Sequence, residues 1–371
     1  MFKKIFLLYV FFIINLGSTR QTDVFIKISS KSTIWKEEAF KYMGNEFKPH
    51  NSCQKISYDK RYSSIRMRKY YLAINLHNNQ EIIPQMFGNI IELISYISPK
   101  NLFLSIFESG SNDQTKVIIQ RFTDIIEKLG IKYQIFTSPL GKTDQMNRIE
   151  YLAFVRNLAL EPLYKDIEVL SSNSKFTETQ VNYDAVLFLN DVYYCANDIL
   201  ELFYQQALND AHMVAGMDYD APNGLPMFYD TWVAHLLSGH NARKEFMDRI
   251  SDDEETNERI EQLLPVQLGC VWNGVAVMSI EPFKKGIRFR RGNNVHPNEK
   301  ESGECAGSEC STLCLDFIKH GFSKIMMVPR VKVILTYIGR IRGMDLQSVK
   351  RQPKPIYNEI STKSRKKSKR R

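Results

Sequence analysis

The sequence predicts an α/β fold with a mostly parallel central sheet and flanking helices. Three observations carry that expectation. Short, wholly apolar runs recur along the chain, as strands covered on both faces require; amphipathic stretches at helical spacing separate them; and several runs end abruptly in a polar side chain. Strand, helix, strand, helix at this spacing specifies right-handed crossovers between parallel strands.

Taken in order, Tyr71-Leu72-Ala73-Ile74-Asn75-Leu76 suits a buried strand, and Ile82 to Ile97 reads as a helix with Pro84 in its first turn, where a missing N–H does no harm. Leu102 to Phe107 is the second strand and ends in the polar turn Glu108-Ser109-Gly110-Ser111-Asn112-Asp113. Val117 to Leu129 is an amphipathic helix closed by Gly130. Ile131 to Phe136 follows as a strand, then Ile149 to Leu160 as a helix with Arg148 just before it. Ala185 to Leu189 is an apolar strand running into Asn190-Asp191, and Ala196 to Leu208 the next helix. Met213 to Met217 is a strand ended by Asp218. Residues 219–270 read as inserted loops and short helices, with Asp252-Asp253-Glu254-Glu255 as a solvated face. A strand from Gly274 to Ile280, a helix from Ser311 to His320 and a strand from Ile325 to Val333 complete the domain.

The 371 residues are 43% hydrophobic and 25% charged, which excludes a collagen, a coiled coil and a wholly disordered chain. The net charge of +9 is concentrated at one end, since seven basic side chains lie between Lys363 and Arg371. The body is nearly neutral, so no nucleic-acid partner is expected. Lys3-Lys4, an apolar stretch from Ile5 to Leu16 and the small residues Gly17-Ser18 have the layout of a signal peptide or signal anchor. The expected organisation is therefore a leader at 1–18, a stem or irregular cap without a core at 19–69, the folded domain at 70–340 and a basic tail at 341–371. Six cysteines, an even number, are compatible with disulfides in an oxidising compartment, with fifteen complete pairings open. No Cys-x-x-Cys or His-x-x-x-His spacing suggests zinc.

In parallel α/β sheets the ligand site lies beyond the carboxyl ends of the strands. Four predicted strands deliver Asn75, Glu108, Asp191 and Asp218 to that edge. An apolar strand that presents Asn190-Asp191 there resembles the way nucleotide-sugar transferases offer a carboxylate to a divalent cation. Such a cation offsets the charge that builds on a leaving diphosphate. Arg148 and Arg156-Asn157 belong to the preceding helix; eight residues, slightly over two turns, allow both arginines to face one side, and arginine suits forked contacts with phosphate. The C-terminal half adds Asp230-Thr231-Trp232, His235, Trp272-Asn273-Gly274 and Ser308-Glu309. Either tryptophan can stack a sugar ring or fill the core. Ser308 is a candidate N-cap, and Glu309 beside it is favoured by the helix dipole whatever its chemistry.

These segments, in this order, resemble the fungal family of capsule-associated (cryptococcal) α-1,3-mannosyltransferases. The likeness is carried by Tyr71 to Gln80, Ser105 to Thr115, Arg148 to Asn157, Phe188 to Val192, Tyr229 to Ala234, Trp272-Asn273-Gly274, Ser308-Glu309-Cys310 and Pro329 to Val333. It implies a nucleotide-diphospho-sugar transferase (GT-A-like) fold. It also implies a retaining hexosyltransferase that uses GDP-mannose, a glycan acceptor and a divalent metal, Mn²⁺ or alternatively Mg²⁺. The location implied is the Golgi or endoplasmic reticulum lumen, with the N-terminal segment as membrane attachment or, if cleaved, a secreted product. On this resemblance Asp191, Glu309 and Asp230 are the candidate catalytic residues, with Asp191 holding the metal. Asn75, Glu108, Arg148, Arg156 and Asn157 are the candidates for the donor, and Trp232, His235, Trp272 and Asn273 for sugar and acceptor. The chain departs from the family pattern at His235, where an arginine is usual, and at Gln80, where a glutamate is common. The alternative is a catalytically inactive lumenal lectin-like or scaffold protein of the same fold.

Overall fold

Seven residues from Tyr70 to Leu76 form strand β1, buried throughout except at Asn75, because this run offers no polar side chain until its end. In the computed structural model the described residues are 46–49, 53, 56, 60–139, 141–171, 183–220, 227–243, 249–292 and 307–335. The leader, residues 19–45 of the predicted stem and the basic tail lie outside them.

The remaining strands are β2 (Leu102–Ser109), β3 (Lys132–Ser138), β4 (Ala185–Leu189), β5 (Val192–Tyr193), β6 (Met213–Asp220), β7 (Met227–Phe228), β8 (Val266–Gln267), β9 (Val275–Ser279) and β10 (Ile325–Leu335). The helices are α1 (Ile83–Ile97), α2 (Thr115–Lys128), α3 (Arg148–Ser171), α4 (Ala196–Leu208), α5 (Glu254–Glu261), α6 (Glu281–Lys284) and α7 (Glu309–Lys319). The main sheet path runs β3-β2-β1-β4-β9-β6-β10-β5, with β7 on β6 and β8 on β10. β3, β2, β1 and β4 are mutually parallel, as are β6 and β10. β9 lies antiparallel between β4 and β6. The periodicity of 274–280 marks a strand, but its direction depends on where the preceding connection leaves the chain, a tertiary matter.

Apolar residues from both faces of the sheet form two cores. One includes Phe87 of α1, Phe122 of α2 and Phe203 of α4; the other includes Leu160 and Leu163 of α3 and Phe317 of α7. Helix α3 is longer than its sequence suggests. It continues through Pro162 because Leu163, Tyr164 and Ile167 beyond the proline are buried, and that burial outweighs the lost backbone bond. Asp253 caps α5 by accepting from the Thr256 N–H at 2.9 Å, and the other carboxylates of that acidic run face solvent as expected.

The stretch preceding β1 is not the coreless stem that its lysine-rich composition suggests. Phe47 is buried against Phe87 and Phe122, Ile65, the last residue of a 3₁₀ turn (Lys60–Ile65), is buried, and Cys53 is disulfide-bonded to Cys195. Gly88 permits the close crossing, since a Cβ there would meet the Lys48 carbonyl carbon at 2.7 Å. A second disulfide joins Cys270 to Cys314, while Cys310 is a buried thiol.

Candidate active site

The chain direction explains why polar ends gather at one edge. β1, β2, β4 and β6 finish there, and the antiparallel β9 starts there, so residues 75, 108, 190–191, 218–220 and 272–274 become neighbours along a single rim. The turn into β9 is tight. Asn273 and Gly274 have φ of 51° and 75°, and a Cβ on Gly274 would stand 2.6 Å from Val192, so glycine is required for the Asn190 N–H to reach the Gly274 carbonyl at 2.8 Å.

Arg156 on α3 is the centre of the charged side. It is only 7% exposed; its Nε donates to Glu309 Oε1 at 2.9 Å and its terminal nitrogen to Asn190 Oδ1 at 3.0 Å. The guanidinium lies 4.7 Å from the Trp272 ring centroid, 5.1 Å from Phe188 and 5.7 Å from Phe289, an aromatic enclosure that a delocalised cation tolerates better than an ammonium would. Phe289 is seated by Asn157, whose amide donates to the Phe289 carbonyl at 2.8 Å and accepts its N–H at 3.1 Å. Ser308 caps α7 as its sequence position suggests, accepting from the Cys310 N–H at 3.0 Å, and Glu309 projects from the first turn of that helix.

Asp191 stands at the exposed rim beyond β4. Its Oδ2 accepts from Asn79 Nδ2 at 3.2 Å. Surrounding protein raises its carboxyl above the ordinary value, opposed by its own backbone amide, by Asn79 and by the charge of Arg156. Asp230 accepts from the Asn273 N–H at 3.3 Å. Burial, with a further contribution from the Glu309 charge, pushes its carboxyl up to about 6, against the Asn273 and Val233 amides and Arg156. Asp218 is fully buried, and desolvation together with the neighbouring Asp230 charge raises it well above the carboxylate range, favouring its neutral form.

The candidates therefore separate. Asp191, Arg156, Asp230 and Glu309 come together. Arg156, expected to face a phosphate, is buried and donates to Asn190 and Glu309 inside the rim. Arg148, two turns earlier, is exposed and makes no ion pair among the described residues; the two arginines do not share a surface, because only Arg156 faces the sheet. Asn157, expected at the donor, has its amide engaged with the Phe289 main chain. Trp272, 2% exposed, and Asn273, fully buried with its amide on the Gly216 carbonyl at 2.6 Å, are packed in the core, whereas the acceptor reading expects accessible groups. Trp232, 45% exposed, and Tyr229, 39% exposed, remain as accessible rings beside Asp230. His235 is half-buried and bridged to Cys270 by its main chain, and burial lowers its imidazole, favouring the neutral form, against a hydrogen bond to the Trp232 backbone. Asn75 donates to the Val155 carbonyl at 2.8 Å, and Glu108 is buried with Lys116 Nζ at 4.0 Å.

No group of three or more His, Cys, Asp or Glu side chains among the described residues could enclose a metal. Asp191 is a single carboxylate at this edge, which fits at most a hard cation that takes one protein ligand. Sequence reasoning missed Asn79 and the aromatic enclosure, since both contacts cross long stretches of chain and neither leaves a local pattern.

An α/β sheet with its polar and charged groups collected beyond the carboxyl ends of its strands defines a class of proteins that bind ligands at that edge. The chain belongs to the cryptococcal mannosyltransferase 1 family, whose model matches residues 69–316. It is 32% identical over 292 residues to alpha-1,3-mannosyltransferase CMT1 of Cryptococcus neoformans, covering 74% of this chain and 60% of that relative. Among solved structures it is similar to the mannosyltransferase PcManGT from Pyrobaculum calidifontis in complex with GDP-Man and Mn²⁺, at 11% identity and a TM-score of 0.43, covering 84% of this chain and 68% of that one. It is also similar to glucosyl-3-phosphoglycerate synthase from Mycobacterium tuberculosis, at 13% identity and a TM-score of 0.37, covering 78% of each chain.

Proposed function

We propose that this chain is a retaining α-1,3-mannosyltransferase that moves mannose from GDP-mannose to a glycan hydroxyl. The observation that carries the reading is that the family match at 69–316 contains Asp191, Arg156, Asp230 and Glu309, four residues that meet at one sheet edge.

Asp191 would hold a divalent cation, Mn²⁺ or Mg²⁺, which when bound offsets the charge developing on the departing diphosphate. The chain's own residues do the rest. Arg156 orients Asn190 and so the strand tip that carries Asp191; it also holds Glu309 in place. Transfer from an α-linked donor to an α-linked product retains configuration, either through attack from the face the diphosphate leaves or through a carboxylate nucleophile. Glu309 is tied to Arg156. Asp230, only partly covered and with a carboxyl raised to about 6, is the better placed to hold the acceptor's proton. Trp232 supplies an apolar face for a sugar ring.

Two disulfides support an oxidising compartment, and we assign the chain to the lumen of the secretory pathway. Attachment through the N-terminal segment belongs to the same proposal; among the described residues no helix is long and apolar enough to cross a membrane.

The test is nucleotide release from a panel of sugar nucleotides with Mn²⁺, with and without mannoside acceptors. GDP release from GDP-mannose at least tenfold faster than release from uridine or adenosine donors is expected. Absence of release from every donor would overturn the enzyme in favour of a non-catalytic carbohydrate-binding protein.

A further inference from the structure

The turn after β1 is locked to the turn after β2 by contacts between main chain and side chain. The Asn78 N–H donates to Ser111 Oγ at 2.8 Å, the Asn79 N–H to Thr115 Oγ1 at 2.8 Å and the Gln80 N–H to Asp113 Oδ2 at 3.1 Å. In return the Asn112 N–H donates to Asn78 Oδ1 at 2.9 Å and the Gln114 N–H to Gln80 Oε1 at 3.0 Å. Thr115 is fully buried, so the anchor under Asn79 is fixed.

Asn79 is the member of this lattice that reaches across to the charged side. The orientation of its amide follows from chemistry. Its Oδ1 accepts the His77 N–H at 2.7 Å and its Nδ2 lies 3.2 Å from Asp191 Oδ2. Turning the amide over would set two donors against each other at His77 and two acceptors against each other at Asp191, so only one orientation is compatible with both neighbours. The amide nitrogen is therefore a directed, neutral donor to one carboxylate oxygen. A cationic donor in its place would satisfy the same oxygen but neutralise the carboxylate and compete with a metal ion; an amide leaves the full negative charge in place while restricting where it points.

We propose that Asn79 is a positioning residue for Asp191: it fixes the carboxylate so that a divalent cation meets a preset oxygen, and it transmits the rigidity of the β1 and β2 turns to the tip of β4. The inference rests on the reading of Asp191 as the cation's ligand. Asn79 acts here through Asp191, its amide oxygen being engaged by the His77 N–H. Removing it takes away the bond that ties this carboxylate to the β1 turn, so the effect falls on metal affinity and leaves the fold intact.

The experiment titrates Mn²⁺ into GDP-saturated full-length protein, reading free Mn²⁺ by electron paramagnetic resonance, with thermal melting of the metal-free, nucleotide-free protein measured alongside. Asn79→Ala should weaken Mn²⁺ binding roughly tenfold, the scale of a hydrogen bond to a charged group, with the melting temperature of the unliganded protein within about 2 °C of wild type. Asn79→Ser keeps a side-chain oxygen near the His77 N–H but loses reach to Asp191; it should weaken Mn²⁺ to a similar extent, and it provides the result if the alanine variant fails to fold. Asp191→Ala is the control. Loss of bound Mn²⁺ in Asp191→Ala together with wild-type affinity in the folded Asn79 variants would overturn the positioning role alone, as would a lowered melting temperature with unchanged affinity. Wild-type Mn²⁺ binding by Asp191→Ala would instead remove the reading on which the inference stands.

Discussion

Along the carboxyl edge of the sheet, the β1 and β2 side is joined by main-chain amides bonded to side-chain oxygens, those of Asp113 and Glu108 included, whereas the β4, β6 and β9 side is built from carboxylates around a buried guanidinium. On the first side hydrogen bonds such as Asn78 to Ser111 and Gln80 to Asp113 tie two turns together, with Asn78 and Gln80 exposed and Ser111 buried beneath them. On the second, Arg156 is buried with Glu309 and Asn190, and Asp230 and Asp218 have carboxyls raised by burial. The contrast teaches how such a rim divides its work. Many weak contacts set geometry and tolerate the loss of any one of them. Few strong ones set the electrostatics, and each depends on its partner because a buried charge without one is expensive.

The largest test is Asp191→Ala. Turnover should fall by about 10³-fold or more, the scale on which leaving-group stabilisation acts, with the melting temperature unchanged; steady-state kinetics beside a thermal melt checks both. Arg156→Met should strike stability as well, because it leaves Glu309 buried and unpaired, at about 3–5 kcal/mol in denaturant unfolding. If Arg156→Met were as stable as wild type, the charged side would not depend on its pairing and the comparison would break.

A smaller effect is expected from Gly88→Ala, about 1–3 kcal/mol from overpacking, since the new methyl would press on backbone at Lys48. It shows whether the segment before β1 is an integral part of the domain. Asp230→Asn addresses charge by pH. The folded carboxyl titrates at about 6, above its ordinary 3.8, so the folded state binds more protons than the unfolded state between those values. Stability from this group is therefore full at low pH and declines as pH rises from about 4 to about 6. The variant should flatten that slope in a pH series of unfolding curves, and if ionised Asp230 takes the acceptor's proton, wild-type activity should decline as pH falls through about 6. The smallest effect is Gln80→Ala on the β1 and β2 side, within about 0.5 kcal/mol and with turnover nearly unchanged. A large loss there would mean that the two sides are not divided as described.

Much of the fold was legible. Apolar runs such as Tyr71 to Leu76 and Ala185 to Leu189 are strands because their residues are buried on both faces, and Gly130 follows α2 in the left-handed conformation, with φ of 67°. The site was legible in part. The rim position of Asp191 follows from strand order and direction, yet Arg156, taken for a phosphate contact, is enclosed by rings from three other segments. Trp272 and Trp232 look alike in sequence, and only packing distinguishes the buried ring from the exposed one.

The amino-acid order by itself determined the longer strands and helices, where they end in polar groups, and to which family the chain is similar, because those properties reside in local periodicity and in short ordered motifs. The tertiary structure alone decided that β9 runs antiparallel, that Asn79 meets Asp191 across 112 residues and that Arg156 meets Glu309 across 153. The physical reason is that burial and the choice of partner for a charge depend on which distant surfaces pack together, and no local spacing rule encodes that.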